Sequence, residues 1–470
     1  MDDRTLADIR GASEVEVVID DYGYKGEGYV RLDDGWLSVP GALPGERVRV
    51  RVEDADEQRG RRIYGTLVEV LEPSEKRRDP LCERDSICRG CQLRHATIDE
   101  ELRFHVRTVE EVVEKFAGLH GDERPEVEII TPQPTSRGDA FRIRSTLTYR
   151  RVDGDCELGL VSPVSDSLVP MDVCPALTTP VRRLVGTVQE AFGAVEKLPT
   201  AADEAGEGEP ALAALHVASP VIGRGLVDLE LTGVDDAEAL EPELRKEPFS
   251  ALVEALRERL PEDVGLAAHE GDNREHLGGP ERIRLPLAGS RLWVGHDDWF
   301  AATLAPTDAV YEQLPELLEL DDSDHFLDVG SGIGTISILV SPLVERVVGV
   351  DVNRRSVATA EINAVDNDAT NVEFVVGGWE NALRRLTLDD ESFSVATINP
   401  MREPLGKRPL TYLEPLGVER LVYLGPSPAS AAKDIGALRE MGWRLDRLFA
   451  ANVHPATYHV MLVARLWRGP

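Results

Sequence analysis

The sequence predicts a multidomain protein with a small N-terminal β-barrel, a central α+β domain with metal-cluster cysteines, and a C-terminal α/β domain. Short alternating segments separated by turns fill residues 13–72, and four cysteines lie beyond them. From about residue 300 strands alternate with helices, which is typical of a parallel doubly wound sheet. A chain of 470 residues is also too long for one hydrophobic core. The predicted domain bounds are 1–74, 75–125, 126–295 and 296–470.

The charge of the chain is strongly negative, with 85 acidic residues against 52 basic ones and a formal net charge of −33. Seven of the basic residues are lysines, and the acidic residues are spread along the whole chain. Such a composition is typical of halophilic proteins, since salt at 1 M shortens electrostatic screening to about 3 Å. Local arginine clusters then matter more than net charge for a nucleic-acid partner. An ordinary acidic protein is the alternative.

The sequence also predicts where the protein works. It contains no apolar run long enough to span a bilayer, and its first residues lack the basic and apolar regions of a signal peptide. We therefore expect a cytoplasmic protein that has no membrane partner. We also expect a monomer.

The N-terminal region predicts a small closed barrel, because it holds five short strands in sixty residues. The predicted strands are 15–19, 29–32, 37–39, 48–52 and 64–70. The stretch Gly26–Arg31, followed by Val39–Val48, resembles the TRAM domain, an OB-like RNA-binding barrel found in RNA-modifying enzymes. A barrel that serves only to pack against its neighbours is the alternative.

Four cysteines are candidates for a metal site. Cys82, Cys88 and Cys91 have the spacing C-x5-C-x2-C, and Cys174 is a distant fourth thiol. In a reducing cytoplasm such a set favours metal binding over disulfides. Thiolates bind both zinc and iron–sulfur clusters, and the spacing does not distinguish them. The remaining cysteine, Cys156, is predicted to be a small buried residue.

The central region begins with a predicted helix. A capping box at Thr97–Glu100 predicts its start, and the apolar residues behind the box recur at helical spacing. These residues, which predict the buried face, are Leu102, Val106, Val109, Val112 and Phe116. Residues 126–295 have a mixed α+β character, and the composition of residues 198–210 predicts a loop.

The segment Phe141–Arg150 alternates as a strand does. Arg142, Arg144 and Arg150 then share one face, while the apolar and aromatic side chains share the other. In so acidic a chain, a basic strand face is a candidate surface for the phosphate groups of RNA. A face that is merely solvated is the alternative.

A glycine-rich turn follows the strand that begins at Phe326. Asp328 comes before its three glycines, which are Gly330, Gly332 and Gly334. Glycines let the backbone approach a ligand closely, and Asp351, at the end of the next strand, is placed to accept ribose hydroxyls. The G-x-G-x-G spacing differs from the dinucleotide pattern. The turn is thus a candidate cofactor site, and the nucleotide site of a dehydrogenase is the main alternative for it.

These motifs resemble those of the S-adenosyl-L-methionine-dependent RNA uracil-5 methyltransferases. The segment Leu421–Asp434 is similar to the strand and helix around the catalytic cysteine of that family. Its matching residues are Tyr423, Pro428, Ala429 and Asp434. The barrel, the cysteines, the central region and the glycine turn follow one another in the order of the family. The resemblance implies a C-terminal Rossmann-like class I methyltransferase domain and an RNA partner, either tRNA or rRNA.

The resemblance also implies two cofactors. The family often carries a [4Fe–4S] cluster on this cysteine spacing, which implies that Cys82, Cys88, Cys91 and Cys174 hold one. S-adenosyl-L-methionine is implied as the methyl donor. Its implied binding residues are Asp328, Gly330, Gly332, Gly334, Asp351 and Asn399.

The residues that carry the chemistry of the family are replaced in this chain. Pro426 stands at the position of the nucleophilic cysteine. Asn399–Arg402 reads Asn-Pro-Met-Arg instead of Asp-Pro-Pro-Arg, and His454–Val460 lacks the general-base glutamate. The thiolate of the family adds to C6 of uracil and so activates C5, and its loss is expected to remove that reaction. We expect a divergent, haloarchaeal-like member without the catalytic cysteine.

Two hypotheses for the function follow. The chain is either an RNA methyltransferase that acts at a different atom or with a rearranged site, or a non-catalytic RNA-binding protein that keeps the fold and the cluster. Asn399-Pro400 is similar to the Asn-Pro-Pro-aromatic loop of amino methyltransferases, in which a nitrogen lone pair attacks without a cysteine. Arg402 stands where that loop has an aromatic residue.

Overall fold

The structure, a computed structural model, describes most of the chain. The described residues are 5–10, 12–52, 61–80, 82–88, 90–132, 140–152, 155–162, 167–195, 198–200, 210–234, 240–400 and 402–469. Most of the predicted loop at 198–210 therefore lies outside the described residues. Among the described residues, no helix combines the length and the apolar composition that crossing a bilayer requires.

The N-terminal region is a curved six-stranded sheet that follows a short helix, α1 (Leu6–Arg10). Its strands are β1 (Glu14–Val18), β2 (Asp21–Tyr22), β3 (Gly28–Arg31), β4 (Trp36–Val39), β5 (Arg47–Val52) and β6 (Arg62–Glu72). The strand order is β1-β5-β6-β4-β3-β2. The two end strands, β1 and β2, are consecutive in the chain, so the sheet curls back on itself as a barrel does. All five predicted strands are confirmed, and β2 is an addition.

The alternation of β5 explains why this sheet has one apolar face. Val48 and Val50 are fully buried in its core, while Arg47 and Arg49 point outward. Both arginines bind the carboxylate of Glu16 on β1, the neighbouring strand, at 3.0 and 3.1 Å. The outer face of the barrel thus holds arginine and carboxylate side chains as neighbours.

Two helices and a strand follow, namely α2 (Asp85–Cys88), α3 (Ile98–Ala117) and β7 (Val127–Ile130). The predicted cap of α3 is confirmed, since the Thr97 side chain accepts a hydrogen bond from the Glu100 backbone N–H at 3.4 Å. The predicted buried face is only partly right. Leu102, Val106 and Phe116 are half-buried, whereas Glu101 and His105 are buried. Helix α3 lies between the barrel and the C-terminal sheet, so both of its sides have neighbours.

The central region is a seven-stranded sheet covered on one face by helices. Its elements are β8 (Arg144–Val152), β9 (Asp155–Val161), β10 (Leu168–Pro170), α4 (Thr179–Gly193), β11 (Ala211–Val221), β12 (Arg224–Thr232), α5 (Leu240–Leu244), α6 (Phe249–Arg259), β13 (Val264–Glu270) and β14 (Asn273–Gly278). The strand order is β10-β9-β8-β11-β12-β13-β14. Helices α4 and α6 bury the apolar face, which includes Leu147, Leu215 and Leu229. The opposite face is polar and forms part of the site described below.

The C-terminal region is an eight-stranded sheet preceded by a hairpin and two short helices. Before the sheet lie β15 (Arg282–Leu287), β16 (Ser290–Gly295), α7 (Ala305–Tyr311) and α8 (Leu314–Leu317). The rest are β17 (His325–Val329), α9 (Thr335–Val340), β18 (Arg346–Asp351), α10 (Arg354–Asp366), β19 (Val372–Val376), α11 (Trp379–Leu388), β20 (Val395–Ile398), α12 (Lys407–Leu410), β21 (Arg420–Gly425), α13 (Pro428–Glu440), β22 (Arg444–Ala451) and β23 (Met461–Trp467).

The predicted parallel doubly wound sheet is confirmed. The strand order is β19-β18-β17-β20-β21-β23-β22-β7, and only β23 runs antiparallel to its neighbours. Strand β7 comes from residues that the sequence assigns to the central region, yet it pairs with β22 through Val127 and Leu448. The C-terminal sheet is therefore completed by a strand from more than 300 residues earlier in the chain.

The packing of α3 on α13 depends on a glycine. A Cβ at Gly436 would lie 2.8 Å from the carbonyl oxygen of Phe116. We expect Gly436→Ala to lower the free energy of unfolding by about 1–3 kcal/mol, because the helices have to move apart. Gly186→Ala in α4 is the control, since no atom lies within 4 Å of its Cβ position. That control should raise the free energy by at most about 1 kcal/mol.

Denaturant unfolding of both variants at one fixed salt concentration tests this expectation. A Gly436→Ala variant at least as stable as the parent protein would contradict the close contact between the two helices.

Candidate functional site

The glycine-rich turn links β17 to α9 and passes very close to the loop after β20. Gly330, Gly332 and Gly334 have φ values of 91°, 52° and 85°, a region that favours glycine. A Cβ at Gly330 would lie 2.2 Å from the carbonyl oxygen of Asn399, so no other residue fits there. In contrast, a Cβ at Gly332 would meet no atom within 4 Å, and the same is true of Gly378 at the start of α11. The turn thus borders open space at the ends of the strands.

The two candidate aspartates play different parts. Asp328 is fully buried and accepts hydrogen bonds from the hydroxyls of Ser337 at 2.7 Å and Thr397 at 2.9 Å. Burial raises the pKa of its carboxyl to about 6. Asp351, at the end of β18, accepts from the backbone N–H of Gly332 at 2.9 Å and of Asn353 at 2.8 Å. Asp328 therefore braces β17, α9 and β20 from inside, while Asp351 borders the turn itself.

The loops around Asn399 and Pro426 lie side by side. The Ser430 hydroxyl donates to the carbonyl of Arg402 at 2.8 Å, and Ser427 donates to Ser430 at 3.0 Å. Pro426, which is half-buried, directly follows β21 and lies next to Ser427 in the chain. Met401 lies outside the described residues. The two serines are held by each other and by the backbone, and among the described residues neither forms a hydrogen bond with a histidine or a carboxylate.

Two of the matching positions, Tyr423 and Asp434, have a structural role. The Tyr423 hydroxyl donates to the Asp434 carboxylate at 2.5 Å. The same carboxylate accepts from the backbone N–H groups of Leu405 at 2.6 Å and Gly406 at 3.0 Å. Asp434 therefore anchors the segment that follows Arg402. Burial and the neighbouring Asp434 raise the pKa of Tyr423, so its phenol stays protonated.

Helix α3 holds the turn at residues 452–459, which carries His454 and His459, through hydrogen bonds with its buried polar side chains. The Glu101 carboxylate accepts from the Asn452 side-chain amide and from the Ala456 backbone N–H, both at 2.8 Å. His105 Nε2 is hydrogen-bonded to the carbonyl of Thr457 at 2.9 Å. Sequence reasoning missed Glu101 and His105. The available signal was a pair of polar residues, four apart, on an otherwise apolar helix face.

A cavity of about 620 Å³ lies between the polar face of the central sheet and these C-terminal loops. Arg142, Arg144 and Arg402 line it together with His454 and His459. Further lining residues come from the central sheet and from the segment after β16, namely His216, Asp228, His269, Arg274, His296 and Asp298. Of the three arginines predicted to share a strand face, only Arg142 and Arg144 line the cavity. Arg150 instead lies further along β8, opposite Glu157 of β9.

His454 and His459 are neutral at physiological pH. Burial, with His459 and nearby arginines, lowers the pKa of His454 to about 3. Burial and the charges of Arg402 and Arg142 lower the pKa of His459 to about 4. The Arg144 guanidinium lies over the rings of Trp299 and Phe300, 5.7 and 5.1 Å from their centroids. The part of the cavity lining around His454, His459 and Arg144 therefore combines cations with unprotonated imidazoles.

The structure brings the four candidate cysteines into one neighbourhood. Burial and the thiols of Cys174, Cys91 and Cys82 raise the pKa of Cys88. All four are half-buried, but no three of their sulfur atoms lie within 4.8 Å of one another. Sulfurs around one zinc ion, at 2.3 Å from it, would be roughly 3.8 Å apart. The spacing is thus wider than a single tetrahedral zinc ion needs.

The cysteine segment lies next to the cavity, whereas the fifth cysteine lies apart from it. Arg142 donates to the carbonyl of Gly90 at 3.0 Å, so the cysteine segment lies against the strand that lines the cavity. Cys156 lies in the core of the central region, and burial raises the pKa of its thiol to about 11. The prediction that Cys156 is a small buried residue is confirmed.

Comparisons with known proteins agree with this architecture. Residues 12–61 match the TRAM domain, and residues 320–421 match a methyltransferase domain. An uncharacterized RNA methyltransferase of Caldanaerobacter subterraneus is 25% identical over 472 residues, which cover 98% of this chain and 99% of that protein. One of Halalkalibacterium halodurans is 24% identical over 464 residues, 96% of each chain. These matches confirm the TRAM-like barrel and the methyltransferase domain that the sequence predicts.

A solved structure shares the fold. The Pyrococcus abyssi tRNA (uracil-54, C5)-methyltransferase in complex with S-adenosyl-L-homocysteine superposes with a TM-score of 0.68 at 20% identity. The match covers 96% of this chain and all of that one. The resemblance to RNA uracil-5 methyltransferases is thereby confirmed at the level of the fold and the domain order.

The buried carboxyl of Glu101 makes stability depend on pH. Burial raises its pKa from 4.5 to about 7, so the fold favours the protonated form. This contribution is complete below pH 4.5 and is lost as the pH rises through 7. Glu101→Gln keeps an oxygen acceptor but does not ionise. We expect the variant to gain on the parent protein by on the order of 1–3 kcal/mol between pH 4.5 and pH 8.

Denaturant unfolding of both proteins across this pH range tests the expectation, and the comparison cancels the groups that they share. Glu111→Gln, on the exposed side of α3, is the control and should change the free energy little at either pH. A constant difference between Glu101→Gln and the parent protein would show that Glu101 does not titrate as expected.

Proposed function

We propose that this chain is an S-adenosyl-L-methionine-dependent RNA methyltransferase that works without a covalent thiolate intermediate. The support is that it joins a TRAM domain to a methyltransferase domain and is similar throughout to RNA methyltransferases. The observation that carries this proposal is that one site combines the features of a methyl-donor pocket with the absence of a thiol at the position that the resemblance gives to the nucleophile. The glycine turn and Asp351 are kept, while the nucleophile position is occupied by Pro426.

The residues around the turn fit the methyl donor. Gly332 and Gly378 leave open space at the strand ends, and Asp351 borders that space with a carboxylate that can also accept from ribose hydroxyls. Val352, next to it, is 49% exposed and offers an apolar surface to an adenine ring. Asn399 lies against Gly330 on the other side. The bound donor supplies an electrophilic methyl group on a sulfonium.

The acceptor is proposed to be an RNA atom with its own lone pair, such as a ring or exocyclic nitrogen. Such an atom attacks the methyl carbon directly, the carbon–sulfur bond breaks, and one proton has to leave the nitrogen. That proton is acidic while the methylated nitrogen carries a positive charge. It can therefore pass even to the weakly basic imidazoles of His454 and His459, whose pKa values burial and nearby cations hold well below neutral. Arg142, Arg144 and Arg402 would hold RNA phosphates at the same cavity.

A non-catalytic RNA-binding protein is the second candidate. The observation in its favour is that the hydroxyls of Ser427 and Ser430 are bound to each other and to the backbone, so neither of them is activated in place of the cysteine that the resemblance implies. The TRAM domain and the three cavity arginines would then bind tRNA or rRNA without turnover. We propose the cytoplasm as the place where either function is carried out.

Cys82, Cys88, Cys91 and Cys174 are proposed to hold a [4Fe–4S] cluster. The support is that the four thiols are electrostatic neighbours, half-buried, and spaced more widely than one ion requires. The cluster would tie the segment before α3 to residue 174 of the central region, more than 80 residues away. Such a tie would add to the stability of the fold.

The reaction is tested with methyl-labelled S-adenosyl-L-methionine, tRNA and rRNA, followed by mass spectrometry of the nucleosides. We expect label in a nucleoside other than 5-methyluridine, and no denaturant-stable adduct with 5-fluorouridine RNA, because Pro426 has no nucleophilic atom. Pro426→Cys is the matched variant and should not create 5-methyluridine, since the carboxylate base is also missing.

The outcomes separate the candidates. A 5-fluorouridine adduct or 5-methyluridine in the wild-type reaction would overturn the proposal. RNA and donor binding without any labelled nucleoside would favour the non-catalytic alternative.

The cluster is tested by anaerobic purification. The protein is expected to be brown, with about four irons per chain. Cys88→Ser should lose the iron and lower the unfolding temperature, whereas Cys156→Ser, a buried cysteine outside the set, should keep the iron. Stoichiometric zinc without visible absorbance would contradict the proposal.

A further inference from the structure

The polar face of the central sheet places two histidines and a glutamate side by side. His216 on β11 lies opposite Asp228 on β12, and Glu230, two residues further along β12, lies opposite His269 on β13. Because side chains two residues apart in a strand share a face, His216, Glu230 and His269 point to the same side of three adjacent strands. That side is the wall of the cavity described above, which His216 and His269 line.

The three side chains are close enough to share one ion. His216 Nε2 lies 2.9 Å from a carboxylate oxygen of Glu230. One atom from each of the three residues lies within 4.8 Å of the other two, and among the described residues no other group of histidine, cysteine or acidic side chains meets this condition. Ligands at 2.0–2.2 Å from a tetrahedral zinc ion are roughly 3.3–3.6 Å apart. Small side-chain rotations would therefore close the site.

The other nitrogen of each ring is already held, as it is in metal-binding histidines. His269 Nδ1 lies 3.1 Å from the Asp228 carboxylate, and His216 Nδ1 lies 3.0 Å from the Thr146 hydroxyl. The second oxygen of Asp228 accepts from Arg274 at 2.6 Å, which fixes this buried carboxylate in place. A carboxylate or hydroxyl on the outer nitrogen orients a ligand ring and makes it more basic. Nε2 of both rings then faces the proposed ion, and His216 Nε2 would exchange its contact with Glu230 for a bond to that ion.

We propose that His216, Glu230 and His269 bind one divalent first-row transition metal ion, with zinc as the natural candidate. Imidazole with one carboxylate suits such ions better than magnesium or calcium, which prefer all-oxygen sites. Three protein ligands leave at least one coordination position open, as in catalytic zinc sites. Since both histidines line the cavity, that position faces the space in which RNA is proposed to bind. The ion site itself rests on the sheet geometry and is independent of the methyl-transfer proposal.

The test is titration of the purified protein with Co2+, followed by calorimetry and visible absorption. One equivalent is expected to give d–d bands without the intense near-ultraviolet band of cobalt–thiolate bonds, which separates this site from the four cysteines. His216→Ala and His269→Ala should each weaken binding at this site at least a hundredfold. His120→Ala is the control, because His120 pairs with Glu114 at 3.0 Å on the surface and should leave binding unchanged.

A conservative variant separates a loss of metal binding from a loss of folding. Asp228→Asn retains the shape of the outer carboxylate and is expected to weaken Co2+ binding ten- to a hundredfold. Zn2+ should raise the unfolding temperature of the parent protein and of His120→Ala, but not of His269→Ala. The proposal is overturned if the parent protein shows no such site below millimolar Co2+. It is equally overturned if His269→Ala and Asp228→Asn both bind as the parent protein does.

Discussion

A buried carboxylate must find hydrogen-bond donors inside the protein, and Glu101 finds them more than 350 residues further along the chain. Its partners, Asn452 and the Ala456 N–H, belong to the turn that presents His454 and His459 to the cavity. The same helix contacts the barrel, where Phe104 packs against Tyr22 with ring centroids 5.2 Å apart. Helix α3 therefore sets the position of one cavity wall relative to both ends of the chain.

The sequence allowed the locally encoded parts to be predicted. The barrel strands, the helix cap at Thr97, the glycine turn and the parallel sheet all depend on residues close together in the chain, and the structure confirms them. Glu101 was missed because its meaning depends on a distant turn. The wall with His216 and His269 was missed because it arises from the pairing of three strands, which no local pattern specifies.

The candidate residues divide in a way that packing explains. Asp328 and Asp434 resemble functional carboxylates in sequence, yet both are buried and hold neighbouring segments in place. Their replacement would leave buried N–H or hydroxyl groups unpaired, so they can persist whether or not a reaction takes place. Pro426, directly after β21, has no side-chain hydrogen-bonding group, so it cannot hold a neighbouring segment in this way. The scaffold is therefore held by contacts that do not depend on a reaction.

The pairing of β7 with β22 has a consequence for synthesis at the ribosome. Residues 127–130 emerge more than 300 residues before Leu448–Ala451, their partners. At about 5–20 residues per second, the nascent chain waits on the order of tens of seconds before this sheet edge can close. Until then β7 presents unpaired backbone groups to other chains, which is a hazard for aggregation. The C-terminal sheet can therefore be completed only after β22 has left the exit tunnel.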